Sequence, residues 1–104
     1  MIEIKKPKTA SEYEEMKGEG TTLVLFCTNW CRPALISKNT ISKLAQDYQG
    51  KINIISADVD IPEINEIARS IGVKGIPTYV ILKNKKKPLL KKGLLSKKEL
   101  LLLL

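Results

Sequence analysis

Hydrophobic and polar positions follow two different periods along the chain, and the period of two predicts strands. Ile2 and Ile4 alternate with charged residues, which predicts a short first strand. Two longer, largely apolar runs predict strands buried on both faces of a sheet. After Gly75 a further apolar run, a lysine-rich turn and a short edge strand predict a C-terminal hairpin. These later segments are "TTLVLFC", "KINIISADVD", "PTYVILK", "NKKK" and "PLLKKG".

A helical period predicts four helices between and after these strands. In "SEYEEMK", Ser11 and Glu14 have the spacing of a capping box, which predicts the start of a short first helix. The long second helix is predicted from Pro33 to Tyr48, with Gly50 as its stop. The polar residues Lys38, Lys43 and Asp47 lie away from its predicted apolar stripe. That stripe consists of Leu35, Ile36, Ile41, Leu44, Ala45 and Tyr48.

Two further helices complete the pattern. Pro62 suits the first turn of a third helix that continues through Arg69, and Gly72 closes it. Ser96 and Glu99 form a second capping-box pattern, which predicts the start of a final leucine-rich helix.

The predicted order is β-α-β-α-β-α-β-β-α. Alternating strands and helices favour right-handed crossovers and a parallel core. The last hairpin must be antiparallel, because its turn is too short for a crossover. The 104 residues fit one domain of ordinary size. We therefore expect a single α/β domain over residues 1–104, with helices on both faces of its sheet.

Composition removes several classes of function. The chain contains no histidine, which excludes Cys-His pairs, Ser-His-Asp triads and histidine metal sites. With only two cysteines, a zinc site is not expected either, and no metal or other cofactor is predicted. No segment approaches the roughly 20 apolar residues of a membrane span, and no signal-peptide pattern follows the N terminus. We expect no membrane partner and a cytoplasmic location, where cysteines are normally reduced.

The net charge of +7 is concentrated near the C terminus, with eight lysines between Lys83 and Lys98. A basic run of this kind is compatible with nucleic-acid binding. No aromatic residue is interleaved with it, however, and stacking residues are typical of single-strand binders. We interpret the run as a solvated surface, so nucleic acid is a weaker alternative as a partner.

One cysteine lies where chemistry is favoured. In "FCTNWCRPA", Cys31 follows the second predicted strand and precedes the long helix. Free backbone N–H groups, the positive end of the helix dipole and the neighbouring Arg32 all favour a thiolate there. Pro33 suits the first helical turn, where its missing N–H has no intrahelical role. Taken alone, this cysteine is a candidate nucleophile or a small buried hydrophobe.

Several motifs resemble the thioredoxin family, in the family's order and over nearly the whole chain. "LVLFCTNWCRPA" resembles its active-site segment, a buried strand followed by Trp-Cys-x-Pro-Cys at a helix start. "DVD" at 58–60 resembles its acidic segment after a strand. "VKGIPTYVILKN" and "GLLSKKEL" resemble its Ile-Pro-Thr strand entry and its final helix. The resemblance implies the thioredoxin fold, with a central mixed five-stranded sheet.

The resemblance also implies roles for individual residues. Cys31 matches the cysteine whose thiolate opens a substrate disulfide and forms a mixed disulfide. Trp30 matches an aromatic residue in the apolar rim that docks the substrate, and Arg32 and Pro33 lie in the same segment. Pro77 matches a cis-proline that faces the cysteine, with Ile76 before it, where the backbone pairs with the substrate chain. Gly93 matches a glycine of the docking surface.

The chain departs from the family pattern at several positions. Ala34 stands where the resolving cysteine belongs, so the mixed disulfide cannot be released by that route. Leu25 replaces the buried acid that assists the resolving cysteine, Cys27 replaces a tryptophan, and Arg32 replaces a glycine. A Cys27–Cys31 disulfide would require the loop between them to rearrange. A buried packing cysteine is therefore the default expectation for Cys27.

The sequence supports two main functions. The first is a thiol-disulfide oxidoreductase that acts through Cys31 on disulfide-containing proteins, with a thioredoxin-reductase-type electron donor. It would stop at the mixed disulfide, whether it is naturally monothiol or a variant in which Ala34 replaces a cysteine. The alternative is a redox-inert module of the same fold that binds a peptide around Trp30, Ile76 and Pro77.

Overall fold

The predicted order of elements is confirmed in a computed structural model, which describes residues 2–84 and 86–104. The strands are β1 (Ile4–Lys5), β2 (Thr22–Cys27), β3 (Asn53–Asp58), β4 (Thr78–Leu82) and β5 (Leu89–Lys92). The helices are α1 (Ala10–Lys17), α2 (Arg32–Asp47), α3 (Pro62–Ile71) and α4 (Lys97–Leu103). The predicted "NKKK" turn includes Lys85, which lies outside the described residues.

The five strands form one mixed sheet in the order β1-β3-β2-β4-β5. Strands β1, β3 and β2 are parallel, and β5 pairs with β4 in the expected antiparallel hairpin. Strand β4, however, is antiparallel to β2, so the parallel core predicted from alternation was wrong for this strand. The segment after α3 returns to the carboxyl end of β3, where Val59, Val73 and Ile76 line one cavity. Strand β4 therefore starts at the end where β3 finishes and runs in the opposite direction.

Two apolar clusters cover the two faces of the sheet. The cluster that we call the α2 face contains side chains of α2 and α4, and the α3 face contains side chains of α1 and α3. All six residues of β2 are buried, as the apolar run predicted, and the five from Leu23 to Cys27 alternate between the two clusters. The buried members of the α2 face are Leu23, Leu25, Cys27, Ala34, Ile41, Leu44, Ala45, Ile54, Tyr79, Ile81 and Leu100. Those of the α3 face are Tyr13, Val24, Phe26, Ile55, Ala57, Ile64, Ala68 and Val80.

The first helix begins two residues earlier than predicted. Thr9, not Ser11, is its N-cap, and the Thr9 side chain accepts a hydrogen bond from the Glu12 backbone N–H. The Glu12 carboxylate accepts in turn from the Lys8 backbone N–H, at 2.8 Å. The segment contains the Thr/Ser-x-x-Glu pattern twice. A cap at the earlier copy makes the helix longer by the two residues that separate Thr9 from Ser11.

The long helix differs from the prediction in its stripe and its end. Leu35 and Ile36 are 55% and 49% exposed, so both were wrongly assigned to the buried stripe. Ala34 and Ser37 face the sheet in their place. The helix ends at Asp47 with Tyr48 as its extended C-cap, so Gly50 is not the stop. The spacing of apolar residues did not determine which side of the first helical turn faces the sheet. In the structure that side carries Ala34.

The two later helices end and begin where the sequence indicated. Gly72 caps α3 in the left-handed conformation at φ 106°, which glycine adopts without a Cβ clash. Helix α3 continues two residues beyond Arg69, to Ile71. At α4, Ser96 and Glu99 form the predicted capping box in both directions. No helix within residues 2–84 and 86–104 is long and apolar enough to cross a membrane.

Candidate active site

Cys31 lies at the junction between β2 and α2. It is the N-cap of α2 with extended backbone angles, and its carbonyl accepts the backbone N–H of Leu35 at 3.2 Å. Arg32 and Pro33 form the exposed start of the helix, where a proline removes no intrahelical hydrogen bond. The Cys31 side chain is partly buried and packs against the α2 face. The cysteine is thus fixed at a helix N-terminus while it stays accessible to solvent.

Trp30 projects from the loop before the helix and is 72% exposed. Its indole Nε1 donates a 2.7 Å hydrogen bond to the carboxylate of Asp60. Asp60 follows β3, whose carboxyl end lies beside that of β2 in the parallel pair. The hydrogen bond holds one edge of the ring and leaves its faces open for contact with another molecule.

A second polar contact ties the same loop to β3 and α2. Asn29 donates a 3.0 Å hydrogen bond to Asp58, and Lys38 of α2 donates to the Asn29 amide oxygen. The Asp58 carboxylate also accepts the backbone N–H of Asp60, at 2.9 Å. Sequence reasoning noted the acidic segment but missed Asn29 and Lys38. The sequence gives one weak signal for this contact. Asn29 is a polar residue just after β2, and Asp58 is an acidic residue at the end of β3.

The position of the missing second thiol is buried. Ala34 lies on the first turn of α2, three residues after Cys31, and its side chain is fully enclosed on the α2 face. Leu25, at the position of the family's acid, is buried in the same cluster. A methyl group and an isobutyl group cannot exchange electrons or protons, so neither residue acts chemically.

The segment around Pro77 reaches the same end of the sheet. The Ile76–Pro77 peptide bond is cis, and Pro77 immediately precedes β4, whose Thr78 pairs with Phe26 near the end of β2. Gly93 donates its backbone N–H to the Pro77 carbonyl at 2.8 Å, and it has the positive φ of 96° that favours glycine. Ile76 is partly exposed and Pro77 is buried. All predicted docking residues thus lie at the carboxyl end of β2.

Cys27 is the last residue of β2 and is 1% exposed, as predicted for a cysteine that faces the interior. Both cysteines are free thiols. Burial raises the pKa of the Cys27 thiol, and the positive charge of Lys38 partly opposes that rise. A cavity of about 170 Å³ borders Cys27 and is lined also by Asn29, Lys38 and Asp58.

The remaining candidates do not join this site. Within the described residues, no group of three or more cysteine and carboxylate side chains is arranged to hold a metal ion. The lysine run extends from the end of β4, through β5, to the first turn of α4. Its Lys85 lies outside the described residues. Lys97 forms an ion pair with Asp47 of α2 at 2.5 Å, which supports a role on the solvated surface for that lysine.

Comparison with known proteins agrees with this geometry. The thioredoxin family model matches residues 5–104. The chain is similar to thioredoxin of Pseudomonas aeruginosa, with 33% identity over 89 residues that cover 86% of this chain and 81% of that protein. Thioredoxin of Staphylococcus saprophyticus is 36% identical over 76 residues, which cover 73% and 71% of the two chains.

Solved structures give the same result for the fold. A mutant thioredoxin of Halobacterium salinarum superposes with a TM-score of 0.83 at 24% identity, covering 97% of this chain and 87% of that one. The expected fold is therefore confirmed, including its mixed five-stranded sheet.

Proposed function

The chain belongs to the thioredoxin family, and from that premise we propose that it exchanges thiols and disulfides with proteins through Cys31. The observation that supports this most directly is the position of Cys31, a partly exposed thiol at the N-cap of a 16-residue helix. Unpaired backbone N–H groups at that end stabilise negative charge on sulfur. The thiolate is the nucleophilic form of cysteine.

The first step is a thiol-disulfide exchange. The Cys31 thiolate attacks one sulfur of a substrate disulfide, a new bond forms between Cys31 Sγ and that sulfur, and the substrate S–S bond breaks. Its electron pair leaves on the second substrate sulfur, which takes a proton from solvent. Cys31 is then half of a mixed disulfide, and the substrate has gained one thiol.

The surroundings of Cys31 support the docking of an extended peptide. Trp30 supplies an exposed aromatic surface whose orientation is fixed by Asp60. The partly exposed Ile76 precedes Pro77, so its backbone groups are available to pair with a substrate strand. Gly93 has no side chain to obstruct that approach. We propose that these residues orient the substrate disulfide towards Cys31.

The residue at position 34 determines the fate of the mixed disulfide. With Ala34 no attack from position 34 can occur, so we propose that the mixed disulfide persists until a thiol elsewhere, in this chain or in another molecule, releases it. A low-molecular-weight thiol or a thioredoxin-reductase-type donor would supply the electrons, in a reducing compartment such as the cytoplasm. The proposal holds whether Ala34 is natural or replaces a cysteine.

The reaction of the reduced chain with an aromatic disulfide that releases a coloured thiolate tests the first step. The wild type and Cys27→Ser should each release at least one equivalent of coloured thiolate, because both retain Cys31. Cys31→Ser should release it much more slowly, because its only thiol is buried. Equal rates for wild type and Cys31→Ser would overturn the proposal and favour the redox-inert binding module.

A further inference from the structure

Both cysteines contact one apolar cluster. Cys27 is a buried member of the α2 face, and Cys31 packs against that face from the helix N-cap. Ala34, at the position of the missing thiol, belongs to the same cluster. Burial raises the pKa of the Cys27 thiol, and a negative charge on Cys31 makes a small further contribution to that rise. The α2 face therefore contains a second thiol beside the first, although position 34 has none.

The Cys27 thiol has a more polar environment than its burial suggests. Ser56, on the neighbouring strand β3, lines the same cavity as Cys27 and Lys38, and the charge of Lys38 favours the Cys27 thiolate. Asp58 lies opposite Cys27 in the β2–β3 register and opposes the thiolate. A cysteine that serves only to fill space does not need a cavity lined by a hydroxyl group and a cation.

Two buried hydroxyl groups on the α2 face lack hydrogen-bond partners among the described residues. They belong to Ser37 of α2 and Tyr79 of β4, both with fully buried side chains. Tyr79 belongs to the same cluster as Cys27, and burial, with a smaller contribution from a thiolate at Cys27, raises the Tyr79 pKa. A buried hydroxyl without a hydrogen-bond partner costs free energy, so its presence calls for an explanation. A hydrogen bond that forms in another state of the molecule is one such explanation.

From these contacts we infer that Cys27 is an alternative resolving thiol, which attacks Cys31 in the mixed disulfide and is assisted by the neighbouring hydroxyls. The inference rests on the proposed function of Cys31. Tyr79 is suited to donate a hydrogen bond to the Cys27 thiolate, and Ser37 to donate to Tyr79. The two hydroxyls would then assist Cys27 as a buried acid assists a resolving cysteine at position 34. Leu25, at the position of that acid, cannot supply such assistance.

The step balances without a further oxidant. Cys27 Sγ attacks Cys31 Sγ, a Cys27–Cys31 bond forms, and the bond from Cys31 to the substrate sulfur breaks. Its electron pair leaves on the substrate sulfur, so the substrate disulfide has received two electrons and two protons in total. The protein is left with an internal disulfide, which a dithiol reductant converts back to two thiols.

The loop between the cysteines must move for this bond to form, since the Cα atoms of a disulfide lie about 4.4–6.8 Å apart. Asn29 and Trp30 are exposed and are held mainly by side-chain hydrogen bonds to Asp58 and Asp60. Exposed contacts of this kind each contribute only about 1 kcal/mol. Asn29 and Trp30 can therefore rearrange at small cost, while the buried Thr28 stays in place with β2 and α2.

A single-turnover reaction tests the inference. The reduced wild-type chain is mixed with one equivalent of the aromatic disulfide, and coloured thiolate, intact mass and a non-reduced peptide digest are followed. We expect a first equivalent of thiolate, then a slower second equivalent, a final protein without adduct and a Cys27–Cys31 linked peptide. Cys27→Ser and Cys27→Ala should stop after the first equivalent, with the adduct retained on Cys31.

The possible failures can be told apart. If Cys31 releases no first equivalent, the proposed function fails. If the wild type keeps its adduct as long as Cys27→Ser does, or carries adducts on both cysteines, Cys27 is not a resolving thiol. The two replacements at position 27 guard against misfolding, because both must release the first equivalent at the wild-type rate to count as folded controls.

The pH profile of the second phase tests the surroundings of Cys27. The groups that face it are Lys38, Asp58, Tyr79 and Cys31. Because burial raises the pKa of Cys27, the second phase should accelerate as pH rises above neutrality. Lys38→Gln should move that profile to higher pH, since it removes the cation that favours the thiolate. An unchanged profile would show that Lys38 only anchors the loop.

Discussion

The two faces of the sheet are built from similar apolar material, but they differ in chemistry. The α3 face is filled by aliphatic side chains, Phe26 and Tyr13, and neither cysteine of the chain belongs to it. The α2 face contains two thiols and borders two buried hydroxyls. Both faces meet at β2, whose residues alternate between them. Reactivity is therefore confined to one side of a strand that stabilises both.

The difference follows from where the chain leaves the sheet. Four residues separate the end of β2 from the start of α2. The helix N-terminus and Cys31 are thereby placed at the α2 face. Helix α3 starts after the acidic segment, with Ile61 as its N-cap and a proline at its first turn. The N-terminus of either helix favours negative charge. At α3 the first turn holds the Glu63 carboxylate, which accepts the backbone N–H of Ala10, and no thiol lies there.

The largest expected effect comes from introducing a thiol at position 34. Ala34→Cys should raise steady-state turnover of a protein disulfide roughly tenfold or more, because the new thiol is closer to Cys31 than Cys27 and needs no loop movement. The measurement is the rate of disulfide reduction with excess dithiol reductant. Ala68→Cys is the matched control, since Ala68 is a buried helical alanine of the α3 face.

Similar gains in both variants would mean that any added buried thiol suffices, and the distinction between the faces would be lost. No gain in Ala34→Cys, with the fold retained, would show that the α2 face lacks the geometry for resolution.

A second pair of substitutions compares how the faces stabilise the fold. Ile41→Ala on α2 and Ile64→Ala on α3 should each lower the free energy of unfolding by about 2–5 kcal/mol, because both side chains are buried. Urea denaturation measures the loss. Ile36→Ala is the exposed control and should change stability by only about 0.5 kcal/mol. A large loss there would contradict the observed rotation of α2.

The smallest effect concerns alkaline pH. Burial, with a smaller contribution from the charge of Glu14, raises the pKa of Tyr13 from its ordinary value of 10.0 to about 12. A raised pKa in the folded state means that stability is intact below pH 10 and falls as pH rises from 10 to 12. The loss due to Tyr13 is about 2–3 kcal/mol.

Comparing wild type with Tyr13→Phe in urea at pH 9 and above isolates this effect from lysine titration. The variant should lose less stability than the wild type over the same range. Parallel losses would show that Tyr13 ionises as it does in the unfolded chain. Thiol reactivity of Cys31 should be unchanged in this variant, because Tyr13 lies on the other face.

The sequence by itself determined most of the fold and pointed to Cys31 as the candidate nucleophile. Strand β2, the cap at Ser96 and the stop at Gly72 follow from local patterns, because apolar runs, capping side chains and a glycine act over a few residues. The place of Cys31 between a strand and a helix followed in the same way. The double Thr/Ser-x-x-Glu pattern near α1 shows the limit, since local sequence offered two caps and could not choose between them.

Only the tertiary structure decided the direction of β4, the rotation of α2 and the environment of Cys27. The direction of β4 follows from the path of the chain after α3, which returns to the end of β3. The rotation of α2 is seen in the burial of Ala34 in place of Leu35. Cys27 gained neighbours from β3, α2 and β4, which are distant in sequence. These features depend on contacts between separate elements, and a period along one segment contains no information about them. The sequence placed Cys31 at the start of a helix, and the fold placed Cys27 in the apolar cluster against which Cys31 packs.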